Sequence, residues 1–237
     1  MKHRLLDIYS FIFPTFILPV SSLFPISLLS LFKVGKTPSG YRVTMQMKHF
    51  LQYMYQHEDD LPLYLFESQL EVIPVAEEIQ QDYVRPHFFR TDFFDLVTFN
   101  RRPPQRWLTI GAAGSGTLMH IDPLNTNAWN SLTHGRKYWV LLSPDVPENI
   151  ACGFGFRRSD RKGTSVDAGE TGPSDVKMYQ GWCWQSLPAL RSYITKHAEY
   201  ELLECIQYPG DTIFVPGKSK SLYFLDLAFV HHMYCGS

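Results

Sequence analysis

Residues 106–142, RWLTIGAAGSGTLMHIDPLNTNAWNSLTHGRKYWVLL, decide how this chain folds. Arg106 to Ile110, Thr117 to Ile121 and Lys137 to Leu142 are short apolar-rich runs separated by Gly, Pro and Asn, too short for helices and bounded by turn formers, so each predicts a strand. Downstream, Leu202 to Gln207 and Thr212 to Val215 read the same way and flank Tyr208-Pro209-Gly210-Asp211, where Pro presets φ and Gly permits positive φ for a tight turn. Upstream, Tyr41 to Gln56 carries Met45, Met47, Phe50, Leu51 and Met54, a spacing for an amphipathic helix or a strand running into one, closed by Glu58-Asp59-Asp60. Leu63 to Phe66 predicts a buried strand, and aromatic-rich Phe88 to Phe99 a helix with loops covering a sheet. Gly153 to Asp175, with Arg157-Arg158 and Arg161-Lys162, predicts a solvated loop. Many short strands with Gly and Pro turns give an all-β barrel or sandwich core decorated by helices.

Length and charge narrow the function. The chain has 237 residues, enough for one domain with extensions. Lys plus Arg number 22 against 23 Asp plus Glu, a net charge of −1, so no overall field draws the protein to phosphates or anionic lipid. Hydrophobic residues make up 45% and charged residues 19%, which excludes global disorder. Cys152, Cys183, Cys205 and Cys235 are too scattered for zinc-ribbon spacing and set no compartment.

No charged residue lies between Asp7 and Lys33. Three readings of Ile8 to Phe32 compete: a secretory signal behind Lys2 and Arg4, a membrane span, or translated intron, since Phe, Leu, Ser and Pro share pyrimidine-rich codons. Pro14, Pro19 and Pro25 oppose a clean helix in the first two cases.

The chemistry centres on His120-Ile121-Asp122. On a strand, residues two apart face one side, so imidazole and carboxylate project into one cavity. That suits two places of the facial triad, two His and one carboxylate around Fe(II). Alone, the triplet is a weak signal, because a histidine in a strand is more often a structural residue.

The neighbourhood makes it specific. Arg101-Arg102-Pro103-Pro104-Gln105-Arg106-Trp107, Gly114-Ser115-Gly116-Thr117, His120-Ile121-Asp122-Pro123-Leu124, Ala128-Trp129-Asn130 and Gly135-Arg136-Lys137-Tyr138-Trp139 together resemble the JmjC oxygenases. Within them the chain looks most like the bifunctional arginine demethylase and lysyl-hydroxylase family, once called phosphatidylserine receptors, from about Gly40 to Gly217. The resemblance implies a mainly β fold with helical decoration, a double-stranded β-helix or cupin-like barrel, incomplete at the C-terminus. It divides the chain into residues 1–36, an apolar leader; 37–100, the N-terminal part of the fold; 101–217, the barrel; and 218–237, a divergent tail. It also implies Fe(II) and 2-oxoglutarate as cofactors, with His120 and Asp122 as metal ligands. Lys137 would pair with the distal carboxylate of 2-oxoglutarate, Thr117 and Asn130 would hydrogen-bond it, and Tyr64 would line the pocket, with a core tyrosine as the alternative. Trp107, Trp129 and Trp139 are assigned to core packing.

The implied reaction couples oxidative decarboxylation of 2-oxoglutarate to oxidation of an unactivated C–H: lysyl hydroxylation, or N-methyl-arginine demethylation with loss of formaldehyde. The partner is a protein substrate presenting lysine or methylarginine. Nucleic acid has no strong signal, and a membrane enters only if the leader is a genuine signal or anchor. The family acts largely in the nucleus; a membrane-associated or secreted location is the alternative.

The resemblance breaks after Phe214-Val215-Pro216-Gly217, where the family proceeds to its second histidine ligand. Here Lys218-Ser219-Lys220-Ser221 follows, and Ser221 stands in the histidine's place. A serine hydroxyl is a poor Fe(II) ligand, so weak or absent turnover is expected. His231 and His232 are the only substitutes, ten or more residues late. No last strand is recognisable in Leu222 to Ser237, and Gly-Lys-Ser matches a translated splice donor, so the chain is expected to be a product flanked by intronic sequence. The alternative function is a catalytically inactive JmjC relative that binds a protein; a sugar-binding cupin without redox chemistry is weaker, since Lys137, Thr117 and Asn130 match a dicarboxylate pocket.

Overall fold

A computed structural model describes residues 13–14, 31–36, 41–59, 62–68, 70, 85, 89, 91–98, 101–152 and 186–235. Within these residues the chain is mainly β-strand with few helices. In chain order the elements are β1 (Phe13–Pro14), β2 (Leu31–Lys36), β3 (Arg42–Gln46), α1 (Met47–Gln56), β4 (Tyr64–Glu67), β5 (Arg106–Gly111), β6 (Gly116–His120), β7 (Asn127–Leu142), α2 (Glu148–Ala151), α3 (Leu187–Lys196), β8 (Leu202–Gln207), β9 (Asp211–Val215) and β10 (Lys220–Cys235).

Eight strands form one sheet in the order β1-β9-β7-β10-β5-β4, with β6 also paired to β10 and β8 to β7; β2 and β3 form a separate antiparallel pair. The expected Tyr41–Gln56 segment is the strand β3 running into the helix α1. Met47, Phe50 and Met54 recur at helical spacing and are buried. They pack with Phe32 and Val34 against Leu65, Leu108, Ile110 and Ala112, so α1 and the small sheet cover one part of the large sheet. Elsewhere α3 buries Leu187 and Leu190 against Val140, Leu142, Val146 and Ala151. Arg191 of α3 grips Glu204 of β8 through both carboxylate oxygens, at 2.9 and 2.6 Å, and the Tyr138 hydroxyl donates to the same carboxylate. The turn at Tyr208–Asp211 is present, with Gly210 at φ +92° and Asp211 N–H donating to the Tyr208 carbonyl.

Four expectations change. Lys137 to Leu142 is the second half of a strand of 16 residues, because Gly135, at φ +83°, bends β7 without ending it. The strand expected over Thr117 to Ile121 stops at His120. Among the described residues, Phe88 to Phe99 contributes the 3-10 turn Phe93–Leu96, capped by the Asp92 side chain, in place of a longer helix. The stretch that offered no recognisable last strand forms β10, paired with β7 along most of its length and with β6 and β5 on its other edge. Its pairing partners lie far away in sequence, where no local reading reaches them.

Most of the leader and the loop expected over Gly153–Asp175 lie outside the described residues. Phe32 is part of the core under α1. Among the described residues no helix is long and apolar enough to cross a membrane.

Candidate active site

The site is built at the end of β6. His120 closes that strand, Ile121 turns outward and is 41% exposed, and Asp122 is buried at the start of a 3-10 turn, Pro123–Asn125. Asp122 keeps extended φ/ψ (−61°, 146°), so the strand's alternation continues one step past its last hydrogen bond. His120 Nε2 therefore lies 3.4 Å from Asp122 Oδ1.

The histidine's other nitrogen fixes its tautomer. Nδ1 is 2.7 Å from the Leu118 carbonyl, which can only accept, so Nδ1 carries a proton, and Nε2, facing the carboxylate, is the nitrogen that gains or loses one. Two electron-rich atoms at that distance favour a proton or a cation between them. Burial lowers the His120 pKa, but hydrogen bonds to Asp122 and the Leu118 carbonyl outweigh it, and the net shift is upward. Donors on adjacent corners of a metal with bonds of about 2.1 Å sit about 3 Å apart, close to this pair.

Ser221 lies opposite His120 in the β6–β10 register and is buried. Between Ser221 and Tyr223 the register slips: two steps on β10 match three on β6, from His120 to Thr117. The extra residue is a bulge, and it offsets the odd separation that would put Thr117 and His120 on opposite faces of a regular strand. The Thr117 hydroxyl oxygen is buried and has no hydrogen-bond partner among the described residues. Such an atom costs about 1–3 kcal/mol unless a ligand or water satisfies it.

Lys137 is fully buried on β7, with Nζ 4.3 Å from the centroid of the Trp139 ring, a contact worth about 0.5–2 kcal/mol. Burial pushes its pKa well below the ordinary lysine value, and the charge of Asp122 works against that shift. Lys137 also acts on His120, so these three residues share one field. Asn130 is fully buried on the same strand, beyond the Gly135 bend. Tyr64, on β4, packs against the cluster of Ala128, Leu132, Trp139, Leu141, Ile213 and Val215, as either of its two readings requires. Trp129 and Trp139 are core residues as expected, and Trp107 is partly buried at the edge of the same cluster.

His231 and His232 do not stand near His120 in register. Their backbone faces Ser131 and Asn130 on β7, ten and eleven positions past Ser221 along β10. Among the described residues no three His, Cys, Asp or Glu side chains gather as a metal site. The donor set fits two corners of a divalent cation and places a hydroxyl on the adjoining strand, one strong ligand short of the triad.

Gln207 escaped the sequence reading. It is fully buried at the end of β8, accepts from the Trp139 indole at 2.9 Å, and donates to the carbonyls of Asn130 and Asp211 at 2.8 and 3.0 Å. The signal was its parity: Leu203 and Cys205, four and two residues earlier, pack on the core cluster, so Gln207 continues a core-facing row.

Comparison with known proteins gives a consistent family signal. The chain is 38% identical over 186 residues to the bifunctional arginine demethylase and lysyl-hydroxylase psr-1 of Caenorhabditis elegans, spanning 78% of this chain and 42% of that protein. It is 34% identical over 205 residues to the lysine-specific demethylase JMJ21 of Arabidopsis thaliana, spanning 84% of this chain and 20% of that one. The arginine-specific demethylase JMJ22 of the same plant is 42% identical over 105 residues, 44% of this chain and 20% of that protein. The chain thus spans less than half the length of these relatives. No protein-family model matches it.

Proposed function

We propose, on the premise that this chain belongs with the JmjC-type arginine demethylases and lysyl hydroxylases it resembles, that it carries the cosubstrate pocket of a 2-oxoglutarate-dependent protein oxygenase, with a weakened metal site. The eight-stranded sheet is then a double-stranded β-helix, and the pocket is its interior. Fe(II) and 2-oxoglutarate, where a full ligand set holds them, supply the oxidising power to hydroxylate an unactivated C–H.

The observation that carries the reading is Lys137: a fully buried lysine that interacts electrostatically with His120 and Asp122. An ammonium in that place costs several kcal/mol of desolvation, which Asp122 offsets in part and an incoming carboxylate offsets further. Lys137 would hold the distal carboxylate of 2-oxoglutarate by a charge-assisted contact. Thr117 would donate its hydroxyl proton to the cosubstrate, Asn130 would add a second hydrogen bond, and Tyr64 would close the wall. His120 Nε2 and Asp122 would hold the cation. Ser221 offers a neutral hydroxyl where a third strong ligand belongs, so the residues suit the dicarboxylate better than they suit Fe(II).

The protein substrate presents lysine or methylarginine by analogy with the relatives' names, and the nucleus is the proposed place of action. A protein-binding relative without turnover is the second reading, favoured by Ser221 beside His120. Calorimetric titration of 2-oxoglutarate tests the pocket: saturable binding to the wild-type chain that Lys137→Met abolishes supports it, and identical heats for both proteins sink it.

A further inference from the structure

The buried polar network beneath Lys137 uses one residue to tie two proposed cosubstrate contacts together. Gln207 faces Lys137 across the β7–β8 ladder. Its carbonyl oxygen receives the Trp139 indole N–H at 2.9 Å, and its amide donates to the Asn130 carbonyl at 2.8 Å and the Asp211 carbonyl at 3.0 Å. Trp139 in turn presents its ring face 4.3 Å from Lys137 Nζ. Gln207 and Lys137 are fully buried, and Trp139 almost so.

We propose that Gln207 is a positioning residue for the carboxylate-binding end of the pocket, acting on Lys137 through the plane of Trp139 and on Asn130 through its backbone. The physical basis is geometric. Packing confines the buried indole, the hold on its one N–H selects the orientation it keeps, and a cation is drawn to a ring only over its face. Fixing the indole N–H fixes that face, and with it the place where the ammonium rests. The same side chain, by gripping the carbonyl of Asn130, sets the strand from which that amide projects. Gln207 has one amide oxygen and one amide nitrogen, and both are used inside this network, so its side chain has no freedom to rotate without breaking a buried hydrogen bond. Asp211 closes the arrangement: its carbonyl takes the second amide proton, and its side chain accepts from the Tyr208 N–H at 2.8 Å, which pins the turn after β8.

This inference rests on the proposed cosubstrate pocket, and the test separates the two. The probes are 2-oxoglutarate and 2-oxobutanoate, which lacks the second carboxylate, each titrated with Mn(II) present. Gln207→Met keeps the side chain's length and removes all three hydrogen bonds. The expected result is at least a tenfold weaker 2-oxoglutarate Kd with 2-oxobutanoate changed less than twofold, because only the distal carboxylate meets Lys137. A purely structural role would weaken both acids alike.

A ligand-free readout accompanies the titrations. The Lys137 side-chain methylenes near the Trp139 ring are expected to resonate upfield in the wild-type chain and to lose that shift in Gln207→Met. Should Gln207→Met fail to fold, Gln207→Glu retains the acceptor for the indole and is expected to retain the upfield shift. A folded Gln207→Met chain that keeps both the shift and the preference for 2-oxoglutarate overturns the proposal, as does a folded Gln207→Glu chain that loses the shift. A wild-type chain that treats the two acids alike sinks the pocket reading, while the resonance still judges Gln207.

Discussion

Ser221 on β10 and His120 on β6 are directly opposed residues of one antiparallel pair. Directly opposed residues of neighbouring strands share one face of the sheet, so position 221 stands beside His120. What stands there is a buried hydroxyl, a poor cation ligand, and the proposed metal site would be weak for that reason.

Ser221→His is expected to tighten Mn(II) binding by roughly tenfold or more, about 1.4 kcal/mol, because an imidazole replaces a weak neutral donor. Electron paramagnetic resonance of free Mn(II) during titration reads this directly. Equal affinity in the two proteins would show that position 221 does not reach the cation.

Lys137→Met separates stability from function. Replacing a buried cation with an apolar side chain of similar length is commonly neutral or stabilising by about 1–4 kcal/mol. Thermal unfolding of the apo protein is expected at the same or a higher temperature, with loss of the upward shift that 2-oxoglutarate gives the wild type. A markedly lower Tm would mean that Lys137 serves the fold.

The turn between β9 and β10 holds a strained residue beside a constrained one. Lys218 has φ +69° and is exposed, while the Ser219 N–H reaches back to the Pro216 carbonyl at 3.2 Å. Lys218→Gly is expected to stabilise the protein by about 1 kcal/mol, by relieving a left-handed conformation that costs an L-residue about 1–2 kcal/mol. At Gly217 the sign reverses, because a Cβ there would lie 2.3 Å from the Asn125 carbonyl oxygen, in the turn that follows Asp122. Gly217→Ala is expected to cost about 1–3 kcal/mol and to weaken Mn(II) binding, since the Asp122 turn must shift. Urea unfolding of both variants checks the opposite signs.

Acid sensitivity should trace to Glu204. Burial raises its pKa, but hydrogen bonds from Arg191 and Tyr138 more than reverse this and hold it below the ordinary carboxylate value. A depressed folded pKa gives stability that is present above the unfolded value and lost as pH falls through the folded one. Glu204→Gln is expected to flatten the stability profile from about pH 4.5 downward, an ordinary carboxylate's range. An unchanged acid limb in urea titrations would assign that loss to other groups.

The sequence made legible whatever depended on local pattern. β8 and β9 were marked by short apolar runs around a Pro-Gly turn, and α1 by Met47, Phe50 and Met54. What escaped depended on partners distant in sequence. β10 pairs with β7, β6 and β5, all of them earlier in the chain, and no local window contains those partners. β7 was expected only from Lys137 onward, because a glycine that bends a strand looks in sequence like one that precedes it. Of the candidate site, the closeness of His120 and Asp122 was legible in their spacing alone. The bulge between Thr117 and His120 and the Gln207 network arise from register and burial, which no local window contains.

The most direct test of the central claim is the Fe(II)-dependent decarboxylation of 2-oxoglutarate by the purified chain, followed as succinate formed per protein. The account predicts weak or absent turnover in the wild-type chain although 2-oxoglutarate binds, with Ser221→His raising the rate. Robust turnover by the wild-type chain would contradict it.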